Sequence, residues 1–160
     1  MKPEHVEILR VLMEERRLLS LAVVVDDEPV IGMLPFAAET DWNGLLIHAS
    51  RLAPHSAGLE PGARFAALIH GLDDPATSAG EVPRVRFRGT VETLARGTPP
   101  WEAGRDLYLA RFPEAATTFR LGDFELFRLV VTSGRLIAGF AATVNLRRDT
   151  LERAAATAHG

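Results

Sequence analysis

The segment Leu45–Ile69, LLIHASRLAPHSAGLEPGARFAALI, contains two apolar stretches joined by a short polar connection. The stretch LLIHAS and the apolar residues that follow the break at Pro61 each have the length and composition of a buried strand. Between them stand a hydroxyl at Ser50, a guanidinium at Arg51 and an imidazole at His55, three groups that donate hydrogen bonds to anions. The segment therefore predicts two strands with an anion-binding corner between them.

Further strands at hairpin spacing flank this segment on both sides. RVRFRGTVETLA alternates strictly, and the β-branched run LSLAVVV is typical of a buried strand. Pro35 cannot donate to a ladder, so its strand needs an open edge or a bulge at that point. The last hairpin is expected to turn at Ser133 and Gly134. The predicted strands cover residues 19–25, 30–38, 45–50, 63–72, 84–95, 124–132 and 135–146.

Helices are expected at the periphery of these strands. The residues from about Pro3 to Leu19 have helical spacing, so the N-terminal helix is placed at 1–19. Two further helices are expected within 98–122, and the tail 147–160 is either helical or frayed. The order of elements favours a single domain, residues 1–160, that is mainly β: an antiparallel barrel with peripheral helices rather than a βαβ sheet.

The composition is ordinary for a globular domain and excludes several classes of function. The net charge of −3 gives no basic field, so neither nucleic acid nor an acidic membrane is expected as a partner. Lys2 is the only lysine among 18 basic residues, and this arginine and alanine usage is typical of a GC-rich bacterial genome. The absence of cysteine excludes thiolate chemistry and indicates a cytoplasmic protein. No signal peptide or membrane span is expected.

Motifs of the common enzyme classes are absent. The sequence has no P-loop, no dinucleotide-binding glycine pattern and no G-x-S-x-G elbow. Its five histidines lack metal-ligand spacing, so no metal site is predicted. His48 and His70 lie within strand patterns and are expected to be core or rim histidines with a hydrogen-bond partner. No catalytic residue can be assigned.

Four stretches in order resemble the pyridoxamine 5′-phosphate oxidase-like split barrels, a family that binds flavin mononucleotide (FMN). They are LLSLAVVVDDEPVIGMLPFA, the segment Leu45–Ile69 quoted above, PRVRFRGTVETL, and YLARFPEAATTFRLGDFELFRLVVTSGRLIAGFAA. The last stretch contains the elements FP-E-A, GDF and GF. The similarity is greatest to the haem-utilisation subgroup and covers roughly residues 15–145. It implies a six- or seven-stranded Greek-key split barrel that forms a homodimer, with cofactor clefts at the interface.

The resemblance also implies where FMN would bind. Ser50, Arg51 and His55 would hold its phosphate, and Arg84 or Arg86 of the fifth strand could extend that site. The second strand would contact the isoalloxazine ring through backbone groups and apolar side chains. Its candidate residues are Gly32, Met33, Leu34 and Pro35.

The chain departs from the family pattern at several positions. Gly32 stands where family members often carry a hydroxyl residue, and the run His55-Ser56-Ala57-Gly58 lacks an arginine and an asparagine. Because each charge-assisted contact contributes about 1.5–3 kcal/mol, their loss predicts weaker flavin binding. The C-terminal arginine-rich segment of true pyridoxamine-phosphate oxidases is also missing, so that activity is not expected.

Three functions remain open on the sequence. The first is an FMN-dependent oxidoreductase with a small-molecule substrate, in which the flavin carries the hydride chemistry. The second is haem binding or haem breakdown, with His159 as the axial ligand and Asp123 of a partner chain in support. The third is a cofactor-free dimeric scaffold on a degenerate barrel.

Overall fold

The computed structural model describes residues 1–160 and contains one seven-stranded antiparallel sheet that closes on itself. The strand order is β3-β2-β1-β4-β5-β6-β7, and an additional β3–β6 ladder closes the first six strands into a barrel. This confirms the predicted split barrel. The strands are β1 Leu18–Val25, β2 Glu28–Ala38, β3 Gly44–Ser50, β4 Arg64–His70, β5 Arg84–Leu94, β6 Phe124–Gly139 and β7 Ala142–Leu146.

Three helices lie around the barrel. They are α1 Pro3–Arg10, α2 Pro99–Arg111 and α3 Arg148–His159, the last of which shows that the tail is helical. Helix α1 continues through one π-helical turn and ends at Glu15, four residues before the expected end at Leu19. The backbone is extended at Arg16, and β1 begins at Leu18. No helix combines the length and apolar character needed to cross a bilayer.

The predicted turn at Ser133 and Gly134 is wrong, because β6 runs through both residues without interruption. Gly134 lies opposite Phe87 in the β5–β6 ladder, and a Cβ at this position would come within 2.7 Å of the Phe87 ring. This glycine thus makes room for an aromatic side chain inside the barrel instead of forming a turn. The chain reverses later, at Ala141, whose φ is 58°.

The barrel interior holds the main core, because alternate residues of each strand point inward. On β4 and β5 every second residue is buried, and the inward set includes Phe65, Ile69, Val85 and Phe87. Apolar residues of α1 and α3 belong to this same core and close one end of the barrel. Helix α2 covers part of the outer face, where a second cluster contains Ala37, Leu46, Trp101, Tyr108, Phe112, Phe119 and Leu126.

Arg111 ties α2 to the end of the N-terminal helix. Its guanidinium donates to the carbonyl oxygens of Met13, at 2.9 Å, and of Arg16. It also lies over the Phe36 ring, 5.0 Å from the centroid. These two carbonyl groups lie at the junction between the end of the N-terminal helix and the start of β1. They have no hydrogen bond within the helix, so they need another donor.

We expect Arg111→Ala to lower the free energy of unfolding by about 3 kcal/mol, because it leaves two carbonyl groups without their charged donor. The measurement is urea denaturation followed by circular dichroism. Arg105→Ala, on the same helix, is the control: this arginine pairs with its neighbour Asp106 and lies over the Trp101 ring but donates to no backbone carbonyl, and its loss should cost about 1 kcal/mol. Equal losses in the two variants would contradict this role of Arg111.

Candidate functional site

Ser50 and Arg51 lie together at the end of β3, as predicted, but acidic residues already occupy their donors. The Ser50 hydroxyl donates to Asp123 Oδ2 at 2.5 Å. Arg51 donates to the Gly122 carbonyl at 2.9 Å and lies 3.3 Å from Glu125 Oε1. Two carboxylates beside the corner repel a phosphate, since like charges at such distances are unfavourable. In this conformation the corner does not fit the phosphate of FMN.

His55 turns away from this corner toward the β1–β2 hairpin. It lies in the 3₁₀ segment Pro54–Gly58, and its ring packs on Gly32, where an added Cβ would be 2.6 Å from His55 Nδ1. Its Nε2 is buried and makes no hydrogen bond, and burial lowers the pKa of the imidazole. The absence of a hydroxyl residue at position 32 therefore has a local cause, because this ring fills the space.

The candidate ring-binding residues of β2 divide between the two faces of the sheet. Leu34 points into the core, whereas Met33 is 64% exposed on the outside. Pro35 lies opposite Leu18, and its nitrogen faces away from β1 because the next amide donates to the Arg17 carbonyl. The β2–β3 ladder covers only Phe36–Ala38 on β2, so Pro35 stands at the open edge that it requires.

The outer face of β1, β2 and β4 carries a continuous apolar surface, which we call the apolar plateau. Its rows follow the register: Met33, Ser20 and Leu68 lie side by side, and Ile31, Ala22 and Ala66 form the next row. Ile31 is 74% exposed and Val24 is 61% exposed. The plateau consists of Leu18, Ala22, Val24, Ile31, Met33, Ala66 and Leu68. The sequence indicated buried strands here but not that one face lacks a cover.

Arginines of β5 border the plateau. Arg86 lies opposite Leu68, and Arg84 lies opposite His70. Within one chain they are far from the Ser50 corner, since Ser50 pairs with Phe124 at one end of β6 and Arg84 pairs with Ile137 near the other. The structure therefore does not bring these arginines and Ser50 together in one protomer.

The proposed haem ligand His159 lies at the end of α3 and is engaged by other groups. Its Nε2 is 2.6 Å from Glu14 Oε1, and its ring stands edge-on to Trp42, with 6.0 Å between the centroids. Asp123, its suggested support, binds the Ser50 hydroxyl of the same chain. No group of three or more histidine, aspartate or glutamate side chains is placed to hold a metal ion.

His48 and His70 have the hydrogen-bond partners expected of core and rim histidines. His48 is buried beneath α2, stacks on Phe119 with 3.8 Å between ring centroids, and has Nδ1 3.2 Å from the Thr118 hydroxyl. Burial, assisted by the charge of Arg96, lowers the pKa of His48 to about 4. His70 is exposed, and its Nδ1 lies 2.6 Å from the Gly71 carbonyl oxygen.

Comparison with known proteins identifies the fold. No protein-family model and no curated protein matches the chain. The heme-binding protein from Mycobacterium smegmatis superposes with a TM-score of 0.81 at 17% identity, covering 96% of this chain and 62% of that one. HutZ, the heme storage protein from Vibrio cholerae, has a TM-score of 0.71 at 24% identity, covering 82% and 92%.

A third similar structure comes from Clostridium acetobutylicum. It is related to general stress protein 26, of the pyridoxinephosphate oxidase family, and has a TM-score of 0.67 at 9% identity, covering 94% of this chain and 99% of that one. The chain thus has the split-barrel fold that haem-binding and pyridoxine-phosphate-oxidase-family proteins share. It spans less than two thirds of the Mycobacterium smegmatis protein.

We expect Gly32→Ser to destabilise the fold by about 1–3 kcal/mol, because the new side chain would overlap the His55 ring. His55→Ala in the same chain should recover most of this loss, a coupling that a double-mutant cycle measures. Gly122→Ser, where an added Cβ meets nothing within 4 Å, is the control. Additive effects of the two substitutions would show that Gly32 and His55 do not interact.

We expect acid to unfold the protein partly through His48. Its pKa of about 4 in the folded state lies below the ordinary 6.5, so the unfolded state binds more protons between these values. The stabilisation is complete above pH 6.5, and up to about 3 kcal/mol is lost as the pH falls to 4. His55 has a lowered pKa too and adds a loss of the same sign.

The measurement is the free energy of unfolding against pH for the wild type and for His48→Gln. The variant should lose less stability than the wild type between pH 6.5 and 4. Parallel profiles over this interval would mean that His48 does not carry the acid sensitivity.

Proposed function

We propose that this chain is a homodimeric cofactor-binding split barrel and that its cofactor is a planar aromatic molecule with anionic groups. The apolar plateau is the observation that carries the proposal. A monomeric protein rarely leaves so many adjacent apolar side chains in water, and a patch of this kind marks an interaction site. A second copy of the chain and a flat ring both offer apolar area to such a surface.

The residues around the plateau suit a ligand of this chemistry. Met33 adds a flexible, polarisable side chain that contacts aromatic rings well. Arg86 stands at the edge with a free guanidinium and offers a forked donor to a phosphate or a carboxylate. Arg84 stands beside it and offers the N–H groups that remain while its Nη1 donates to the Val82 carbonyl at 3.0 Å. If a ring lay on the plateau with its acidic groups toward β5, the arginines there would neutralise those groups at the edge of the apolar surface. The Ser50 corner would contribute only after giving up its contacts with Asp123 and Glu125.

FMN is the first candidate for this cofactor. When bound, it would supply two-electron chemistry for a small-molecule substrate, which makes the chain a flavin-dependent oxidoreductase. The role of the chain itself is then to shield the ring, through Ile31, Met33 and Leu68, and to hold the phosphate, through Arg84 and Arg86. No side chain near the plateau is assigned an acid or base role.

Haem is the second candidate, because two of the similar structures are described as a heme-binding and a heme storage protein. Its propionates would bind the same arginines that suit a phosphate. His159 would serve as an axial ligand only after leaving its contact with Glu14. Loss of a haemin-induced Soret band in His159→Ala would support that ligand.

Absorption titration of the purified protein with FMN, and separately with haemin, tests the cofactor. We expect one of them to bind at micromolar concentration, and Met33→Glu to weaken it about tenfold or more, because binding would bury an unpaired charge. Phe140→Glu changes an even more exposed apolar residue, 85% against 64% for Met33, at the β6–β7 turn and should leave binding unchanged.

Sedimentation velocity of the same proteins tests the dimer. The wild type and Phe140→Glu should sediment as dimers, and Met33→Glu should shift toward the monomer. A dimer that binds neither FMN nor haemin would identify the cofactor-free scaffold. A wild type that is monomeric and binds neither would contradict the whole proposal.

A further inference from the structure

A second surface of the barrel carries an excess of positive charge, of which the cofactor proposal uses only Arg86. The outer face of β5, β6 and β7 contains a cavity of about 280 Å³ lined by four arginines together with Ser133 and Asn145. We call it the arginine pocket, and its arginines are Arg86, Arg88, Arg135 and Arg147. Arg86 and Arg88 lie on β5 and Arg135 lies on β6, so the β5–β6 ladder fixes their spacing, and Arg147 directly follows β7.

The arginines of this pocket differ from most others in the chain. Elsewhere arginine side chains form ion pairs, as Arg10 and Arg128 do, or donate to backbone carbonyls, as Arg96 and Arg111 do. Six arginines do neither, and four of these six line the pocket. Arg135 has one polar contact, with the Thr143 hydroxyl at 3.2 Å. The six are Arg64, Arg86, Arg88, Arg120, Arg135 and Arg147.

Such an arrangement is unfavourable for the protein alone. Arg86 and Arg135 lie directly opposite each other across the β5–β6 ladder, where like charges destabilise a sheet. No aspartate or glutamate lines the cavity to offset them. A bound anion of several charges would remove this repulsion and satisfy the free donors.

We propose that the arginine pocket binds a compact phosphate group of a small molecule, a phosphate monoester or a pyrophosphate. Guanidinium groups bind phosphate oxygens in pairs, and the Ser133 hydroxyl and Asn145 amide supply further donors. The pocket is small, about 280 Å³, so it suits a single group better than an extended chain. The net charge of −3 likewise disfavours a long polyanion.

This proposal stands apart from the proposed cofactor function, with which it shares only Arg86. The pocket lies on the β5–β6–β7 side of the sheet, whereas the apolar plateau lies on β1, β2 and β4. Pyrophosphate binding can therefore be measured on protein without any cofactor. Failure of this proposal can be told from failure of the cofactor proposal, because Arg135 and Arg147 take no part in the proposed cofactor site.

Isothermal titration calorimetry with inorganic pyrophosphate at low ionic strength is the test. We expect the wild type to bind, and Arg135→Gln and Arg147→Gln each to bind about tenfold more weakly, the effect of losing one charge-assisted contact. Arg120→Gln removes an equally unpaired arginine that lies outside the pocket and should bind like the wild type. Circular dichroism of each variant confirms that it is folded.

The melting temperature of the same variants distinguishes a binding site from arginines that only stabilise the fold. Without pyrophosphate at low salt, Arg135→Gln should melt at the same temperature as the wild type or higher, because it relieves the repulsion with Arg86. Pyrophosphate should raise the melting temperature of the wild type and of Arg120→Gln, and that of Arg135→Gln much less.

Several results would overturn the proposal. They are the absence of pyrophosphate binding by the wild type at millimolar concentration, equal binding by Arg135→Gln, and equal weakening in Arg120→Gln. A single-stranded oligonucleotide that binds while pyrophosphate does not would assign the arginines to a nucleic acid. A shift of the wild-type dimer toward monomer in Arg135→Gln, without pyrophosphate binding, would assign them to the partner chain.

Discussion

Closure of the barrel by β6 is the constraint on which the rest of this structure depends. This one strand pairs with β5 along one edge, and with β3 and then β7 along the other. The strand continues past Phe87 of β5 because Gly134, opposite that ring, leaves it room. Once the ring of strands is closed, each strand has one face inside the barrel and one outside. Every outward-facing residue then contacts a helix, a ligand, a partner chain or water.

The helices cover the outer face of the barrel unequally, and the two surfaces that they leave uncovered are the ones proposed to bind ligands. Helix α2 covers the part that carries Ala37, Leu46 and Leu126, while α1 and α3 close an end of the barrel. No element covers the apolar plateau or the arginine pocket. The two uncovered surfaces differ in chemistry, one apolar and one cationic, and they meet at β5, whose Arg86 borders the first and lines the second. A ligand with a flat ring suits the first, and a phosphate suits the second.

The sequence predicted the architecture well because alternation and turn residues are local signals. It placed the first five strands near their true positions and identified the split barrel from the order of weak motifs. It failed at Ser133 and Gly134, since a glycine that makes room for Phe87 and a glycine that forms a turn look alike in sequence. The candidate site was harder to predict, because its contacts join residues that are distant in sequence. The carboxylates of Asp123 and Glu125 lie far along the chain from Ser50 and Arg51, and the His55 ring lies far from Gly32.

Methyl NMR of the three methionines tests most directly the claim that the plateau is the cofactor surface. Met33 lies on the plateau, Met13 is fully buried in the core, and Met1 is at the amino end. With ¹³C-methyl methionine, FMN or haemin should shift or broaden the Met33 signal and leave Met13 nearly unchanged. A bound cofactor that leaves Met33 unaffected would contradict the account, because the ring would then lie elsewhere on the barrel.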